Sequence, residues 1–494
     1  MRFCFDTFDF VEHAIQPNKI AVIGSNETLT WLQFSERVAD LITIFKLNHW
    51  DQTASPILVY GHKQSEMIIA FYACMKLGIP YIPIDLVYPT ERIQKVIEAS
   101  KSQRIINCST KELDWNALAE ISWNSGQWVI SKNTETLENR LQLADPLVYL
   151  IFTSGSTGEP KGVQISLTAV QTFVRWMSRD FGFTADAIFT NVAVFSFDLS
   201  VFEVMTFSAL GSTILLNENS VVEDPGKLLQ RIQTYQGTIL VATPSYAIRL
   251  IRFEEEAQNS SLKHFLFCGE VLPHSLAKSL KKMYPNSIIF NTYGPTEATV
   301  ATTFVEITEE RIEKYNPLPV GYSKPESELM LEGEEIVIVG ENVSLGYVNR
   351  PDLNEKKFFT HAGKRAFRTG DLGYFADGML FCKGRNDDQV KLHGFRIELN
   401  EITSKLNEID FIVQAETIAL RRNDEVKKIV SLVQINSEKL NPEIEFKKQI
   451  IAILEQKLPH YMIPSDFKQV AMIPLNQNGK SDKKELERMY LQRD

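Results

Sequence analysis

The sequence predicts an α/β protein: a large N-terminal domain of parallel α/β sheets plus a small β subdomain, followed by a small α+β C-terminal domain. Three observations carry this. Residues 1–150 alternate short apolar runs with amphipathic stretches, the pattern of strand–helix–strand units. Three later apolar runs each end in a Gly/Pro-rich turn bearing polar residues, as at the carboxyl ends of a parallel sheet. Past residue 330 the runs shorten and tight turns separate them, which suits antiparallel strands. A chain of 494 residues is too long for one ordinary core. The polar cluster Asn386-Asp387-Asp388 lies between two apolar elements and marks the boundary, giving domains 1–386 and 387–494.

Taken in order, Ile20-Ala-Val-Ile23 and Ile57-Leu-Val-Tyr60 are strands. Trp31 to Phe45 and Ser65 to Leu77 are helices, the second closed by Gly78. Gly78 to Asp85 is a core strand flanked by prolines. Residues 111–145 are polar and without strong period, which reads as a surface excursion. Leu147-Val-Tyr-Leu-Ile-Phe152 is a buried strand. Val163 to Phe181 carries Leu167, Val170, Phe173, Val174 and Met177 at helical spacing, with Ser166 as its N-cap.

Between that strand and helix lies Thr153-Ser154-Gly155-Ser156-Thr157-Gly158-Glu159-Pro160-Lys161-Gly162. Three glycines let the backbone turn its N–H groups inward, four hydroxyls donate further, and Lys161 adds charge. Such a loop suits a phosphate, although a Ser/Gly-rich surface loop has a similar composition. It is not a Walker loop, because Gly162 and not Ser or Thr follows Lys161. It is not a hydrolase elbow either, since Gly155-Ser-Thr-Gly158 is one residue short of Gly-x-Ser-x-Gly.

Val192 to Val201 places Asp198 in an otherwise apolar run. A buried carboxylate there needs a donor or a cation; Asp198 reads equally as a helix N-cap or a ligand contact. Ile239 to Pro244, Phe265 to Pro273 and Ile288 to Glu297 are the three strands that run out into turns. The last offers Asn291, an aromatic face in Tyr293, Gly294, a hydroxyl in Thr296 and a hard oxygen in Glu297. Glu335 to Val339, Ser344 to Tyr347 and Gly373 to Cys382 are the short antiparallel strands. Asp371, on a Thr369-Gly370 turn, can accept from two hydroxyls of a diol. In the C-terminal part, Ile429 to Ile435 is a strand and Glu443 to Leu458 an amphipathic helix. Asn478-Gly479 makes a tight turn with Lys480 at its tip, a position also typical of a solvated hairpin lysine.

Composition narrows the function. The hydrophobic content of 44% and charged content of 23% are those of a soluble globular protein, and the net charge of −10 argues against a nucleic-acid binder. No apolar run approaches the ~20 residues that span a membrane, and the N-terminus lacks a signal-peptide core, so no membrane insertion and a cytoplasmic location are expected. Five scattered cysteines without a Cys-x-x-Cys pair suit reduced thiols and argue against a structural zinc site. His264 and Cys268 sit four apart across a strand and do not form a metal pair.

The ten-residue loop, Asn291 to Glu297, Thr369 to Asp371, Gly384 to Lys391 and Lys480, in that order, resemble the motifs of the adenylate-forming superfamily: acyl-CoA synthetases, luciferases and amino-acid adenylation domains. The resemblance runs from about residue 20 to Lys480. It implies ATP and Mg²⁺ as cofactors. It assigns the nucleotide to Thr153, Ser154, Gly155, Ser156, Thr157, Gly158, Lys161, Asn291, Tyr293, Gly294, Thr296, Asp371 and Arg385, and the metal to Glu297. It makes Lys480 catalytic and Asp387 the hinge of a mobile C-terminal domain. Asp198 would take the α-ammonium of an amino acid, with Cys268 and Val300 lining the side-chain site. Cys268 also fits as a small hydrophobe ending a strand. The text around these motifs is nearest to members that load D-alanine onto a separate phosphopantetheinylated carrier protein, which implies a role in teichoic acid biosynthesis. A stand-alone nonribosomal-type enzyme for another small amino acid, and a non-catalytic carrier-binding protein, are the alternatives.

Overall fold

The structure is a computed structural model that describes residues 16–52, 55–110, 118–132, 145–154, 159–253, 261–385, 389–422, 425–441, 443–474 and 481–492. Its packing divides into two compact units. The first comprises 1–86, 97–151 and 162–384; the second comprises 87–96, 152–161 and 385–494.

The first unit holds three sheets. A nine-stranded sheet has the spatial order Tyr322–Ser323, Thr303–Glu306, Ile288–Tyr293, His264–Phe267, Ile239–Ala242, Ile188–Asn191, Thr213–Leu216, Ile20–Ile23, Thr28–Thr30. Its centre is parallel. Ile239 to Ala242 pair in unbroken register with His264 to Phe267, which pair with Ile288 to Asn291. Ala242, Phe267 and Asn291 therefore stand level, and the third strand runs two residues further, to Tyr293. A seven-stranded sheet runs Gln127–Lys132, Ala119–Asn124, Arg104–Asn107, Ile57–Gly61, Tyr81–Asp85, Leu147–Thr153, Lys161–Ser166. A five-stranded antiparallel sheet contains Ser327–Glu332, Glu335–Gly340, Phe358–His361, Lys364–Ala376 and Met379–Arg385.

Local chemistry explains the helices. Helix Trp31–Leu47 opens with a capping box: Thr30 accepts from the Gln33 amide, and the Gln33 side chain accepts from the Thr30 amide. Helix Ser65–Leu77 is buried along most of its length and stops at Gly78, whose φ of +62° is the left-handed value a C-terminal glycine supplies. Trp31 stacks on Phe207 at 5.4 Å, and Phe34, Tyr72 and Phe207 meet edge to face, forming the aromatic centre of the main core.

Four local expectations change. Lys161–Ser166 is a strand, and the helix begins only at Leu167, capped by Ser166 as expected. The polar stretch 111–145 contains a hairpin, Ala119–Asn124 with Gln127–Lys132, that edges the seven-stranded sheet. Outward residues of a half-covered edge are polar, which blurs the alternation. Ser344 to Tyr347 makes no strand beyond one isolated bridge, Val163 with Tyr347. Thr369-Gly370-Asp371 lies inside the strand Lys364–Ala376, not on a free turn; the pairing with Glu335–Gly340 shifts register there and Gly370 has φ +78°.

In the second unit a two-stranded ribbon, Gln389–Leu392 with Phe395–Glu398, leads into helix Leu399–Asn407. Strands Ile412–Arg422, Glu425–Ile435 and Asp466–Gln469 form a mixed sheet, covered by helices Phe446–Lys457 and Lys483–Leu491. No helix among the described residues is long and apolar enough to cross a membrane.

Candidate active site

The ends of these three strands bring the expected residues of the first unit together. Asn291 and Tyr293 close the strand Ile288–Tyr293, and Thr296 to Ala298 form a short helical turn beyond it. The Tyr293 hydroxyl donates to Asp371 Oδ2 at 2.7 Å. Burial, and then the Asp371 charge, pushes the Tyr293 phenol far up, so it stays protonated and remains a donor. Asp371 is held by a backbone bond of its own, its N–H donating to Thr369 Oγ1 at 3.0 Å.

Asp198 is the first residue of a short helical turn, Asp198–Ser200, which follows Phe197 at the N-cap position. Its Oδ2 accepts from Thr296 Oγ1 at 2.6 Å, although the two residues are far apart in sequence. That bond supplies the donor a buried carboxylate needs there. Tyr149, which the sequence did not single out, lies close enough for the Asp198 charge to add to the burial that raises its phenol. Glu297 is fully buried, and its Oε1 accepts from the Tyr347 hydroxyl at 2.6 Å. Tyr347 was missed because Ser344 to Tyr347 read as a strand. No group of three or more His, Cys, Asp or Glu that could hold a metal occurs among the described residues, and the described cysteines are all free thiols.

Cys268 follows the strand His264–Phe267 directly. Its thiol lies 3.8 Å from the Val300 carbonyl, so the two expected side-chain residues are neighbours. The chain at Thr299-Val300 is strained. Thr299 has φ +56° and Val300 φ +68°, and the Ala301 amide bonds back to the Thr299 carbonyl at 2.8 Å. Left-handed φ at two successive β-branched residues costs on the order of 1–3 kcal/mol each. Gly294 has a packing reason beside any ligand role. A Cβ there would meet Ala301 Cα at 2.5 Å, so only glycine lets the returning chain pass.

The remaining described positions belong to the second unit. Thr153 Oγ1 is buried and has no hydrogen-bond partner among the described residues. Ser154 Oγ donates to the Arg396 carbonyl at 2.7 Å. Lys161 Nζ pairs with Glu398 Oε1 at 3.0 Å, both side chains buried. Arg385 is half-buried at the end of Met379–Arg385. Gly155, Ser156, Thr157, Gly158, Asp387 and Lys480 lie outside the described residues.

Parallel strands ending together in polar turns, with Asp198, Glu297 and Asp371 each engaged by a hydroxyl, define an α/β enzyme whose ligand crevice sits at the carboxyl ends of its sheet. The chain belongs to the AMP-binding enzyme family, which matches residues 11–348. It is 38% identical over 493 residues to a D-alanine–D-alanyl carrier protein ligase of Bacillus licheniformis, covering 95% of this chain and 96% of that protein. A ligase of the same name from Bacillus cereus is 36% identical, again over 95% of this chain and 96% of that protein. Among solved structures, the Vibrio cholerae adenylation domain AlmE in complex with glycyl-adenosine-5'-phosphate superposes with a TM-score of 0.83 at 20% identity, covering 98% and 97% of the two chains. A holo nonribosomal peptide synthetase protein containing adenylation and PCP domains superposes with a TM-score of 0.82 at 24% identity, covering 99% of this chain and 86% of that one. These two likenesses speak for the fold.

Proposed function

We propose that this protein activates D-alanine with ATP and transfers it to the phosphopantetheine thiol of a separate carrier protein. The observation that carries the reading is Asp198. It is a buried carboxylate at the strand-end crevice of an AMP-binding enzyme, in a chain aligned along almost its whole length with D-alanine–D-alanyl carrier protein ligases. A carboxylic acid without an ammonium group, the substrate of an acyl-CoA synthetase, has no use for a negative charge at that place. An amino acid has an ammonium group to meet it.

The residues fit the nucleotide. Asn291 Oδ1 is buried without a partner among the described residues, an acceptor suited to the adenine amino group, and its Nδ2 is anchored on the Pro319 carbonyl at 2.7 Å. Asp371, held by Tyr293, accepts from the ribose hydroxyls, and the resemblance gives Arg385 the same ligand. The resemblance gives the phosphates to Thr153, Ser154, Gly155, Ser156, Thr157, Gly158 and Lys161, whose hydroxyls, backbone and charge suit anionic oxygens. Thr296 serves Asp198 first; its oxygen is left to accept. Glu297 suits Mg²⁺, which is commonly held by one or two carboxylates plus substrate phosphates; it neutralises phosphate charge when bound.

In the first step an oxygen of the amino-acid carboxylate bonds to the α-phosphorus and the bond to pyrophosphate breaks. Lys480 offsets the charge that builds, and positioning does most of the rest. In the second step the thiol sulfur bonds to the acyl carbon, AMP leaves with the bonding pair, and the thiol proton passes to solvent. Rotation about Asp387 separates the two steps. The enzyme would work in the cytoplasm and supply D-alanine for teichoic acid.

Pyrophosphate exchange with a panel of amino acids tests the reading. D-alanine should give the highest kcat/KM. A larger amino acid in that place would favour the stand-alone nonribosomal-type alternative, and no exchange with any would favour a non-catalytic carrier binder. Efficient transfer to free coenzyme A without a carrier would remove the carrier assignment.

A further inference from the structure

The strained Thr299-Val300 turn is held by a buried polar cluster that no step of the proposed reaction uses. Lys324 is fully buried. Its Nζ donates to the Ala301 carbonyl at 2.8 Å, while its backbone amide donates to the Thr302 carbonyl at 2.8 Å. The rings of Phe173 and Trp176, on helix Leu167–Asp180, face the same Nζ at 5.5 and 5.2 Å and close it off from water. Asn342 grips the other side. Its Nδ2 donates to the Ala298 carbonyl at 3.1 Å and to Thr302 Oγ1 at 3.0 Å. Its own carbonyl accepts from Thr299 Oγ1 at 2.7 Å. Ser327 Oγ fixes its remaining oxygen at 2.7 Å.

Burying an ammonium is expensive. A lysine whose only task was to fill space between two aromatic rings and a carbonyl would be better replaced by methionine. What this lysine does is hold one carbonyl of a turn in an unfavourable backbone conformation. Strain of this kind persists only where the surroundings over-determine it. Here residues 298–302 make five hydrogen bonds with Lys324 and Asn342, and Gly294 packs beneath. The residue carried at the apex is Val300, next to Cys268.

We propose that Lys324 and Asn342 are positioning residues for substrate selection: they clamp the Thr299-Val300-Ala301 turn so that Val300 stands where it crowds one face of the amino acid. This rests on the reading that Val300 and Cys268 line the side-chain site. Neither residue of the clamp touches substrate. A charged or a neutral amine can donate to Ala301, so the clamp does not depend on the protonation of Lys324.

The test is pyrophosphate exchange on the full chain with D-alanine and L-alanine as probes, comparing wild type with Lys324→Met and Thr299→Ala. The methionine keeps the volume and loses the donor; the alanine deletes one hydroxyl and is the milder change should Lys324→Met not fold. The D/L ratio of kcat/KM should fall about tenfold, the scale of losing one shape contact, with KM for D-alanine raised and KM for ATP unchanged. An unchanged ratio in the folded variants overturns the clamp. So does a parallel loss in both KM values and kcat, which would mark the cluster as structural support only. A wild type that ignores D-alanine overturns the substrate reading alone. The same ratio is then read between the amino acid it does activate and the mirror image.

Discussion

Lys161 and Glu398 form an ion pair of 3.0 Å with both side chains buried, 237 residues apart in sequence. The lysine expected to meet phosphate thus already has a carboxylate partner within the second unit. Removing one side of such a pair leaves the other charge buried alone. Glu398→Ala should cost about 3–5 kcal/mol of stability to the second unit, whereas Lys161→Met with Glu398→Leu should recover most of it. Denaturant unfolding of the two variants and the single Lys161→Met checks the cycle. A loss in Glu398→Ala below about 1 kcal/mol would mean the pair is solvated in solution.

Lys480→Ala should lower adenylation by about 10²–10³-fold, the usual effect of deleting one group that stabilises developing charge. Thioester formation from supplied D-alanyl-adenylate should be spared. Equal losses in both half-reactions would take Lys480 out of its proposed role. Asp387→Pro should affect the two steps unequally by stiffening the hinge.

Cys268→Ala should open space beside Val300 and raise L-alanine activity, since discrimination by one or two small contacts is worth about 1–3 kcal/mol. ATP saturation should be unaffected. An unchanged D/L ratio in pyrophosphate exchange would leave Cys268 as a strand-end hydrophobe.

Burial pushes the Lys324 ammonium down to about 7 from 10.5, with the Glu326 charge opposing the shift. Between those values the unfolded chain binds the proton and the folded chain does not, so the unfolding free energy rises with pH there. Below about pH 7 both states are charged and the penalty is present in full. Urea midpoints from about pH 7 to about pH 9 should therefore rise more steeply for wild type than for Lys324→Met, which has no proton to shed. Parallel pH profiles would show that this lysine titrates as an exposed one does.

What the sequence made legible was local. The helix Ser65–Leu77 announces itself by its apolar run and closing glycine, and the strands before Cys268 and Tyr293 by runs that stop at Gly and Pro. The hairpin Ala119–Asn124 with Gln127–Lys132 stayed hidden because most of the outer strand faces solvent and carries polar side chains. Residue types marked the candidate groups, but pairings such as Tyr293 with Asp371, 78 residues apart, follow from topology. Lys324 was invisible for a chemical reason. A lysine between Ser323 and Pro325 reads as solvated, and the rings that bury it belong to a distant helix.

The unbroken register of Ile239–Ala242, His264–Phe267 and Ile288–Asn291 has an evolutionary corollary. In that register the paired residues of the second strand end at Phe267, before Cys268, and those of the third at Asn291, before Val300. The residues proposed to sort one amino acid from another are thus appended to a finished scaffold, each on a separate loop. A descendant can exchange one of them and change its diet without renegotiating the framework, and the same economy makes this crevice a convenient starting point for directed evolution toward other small amino acids.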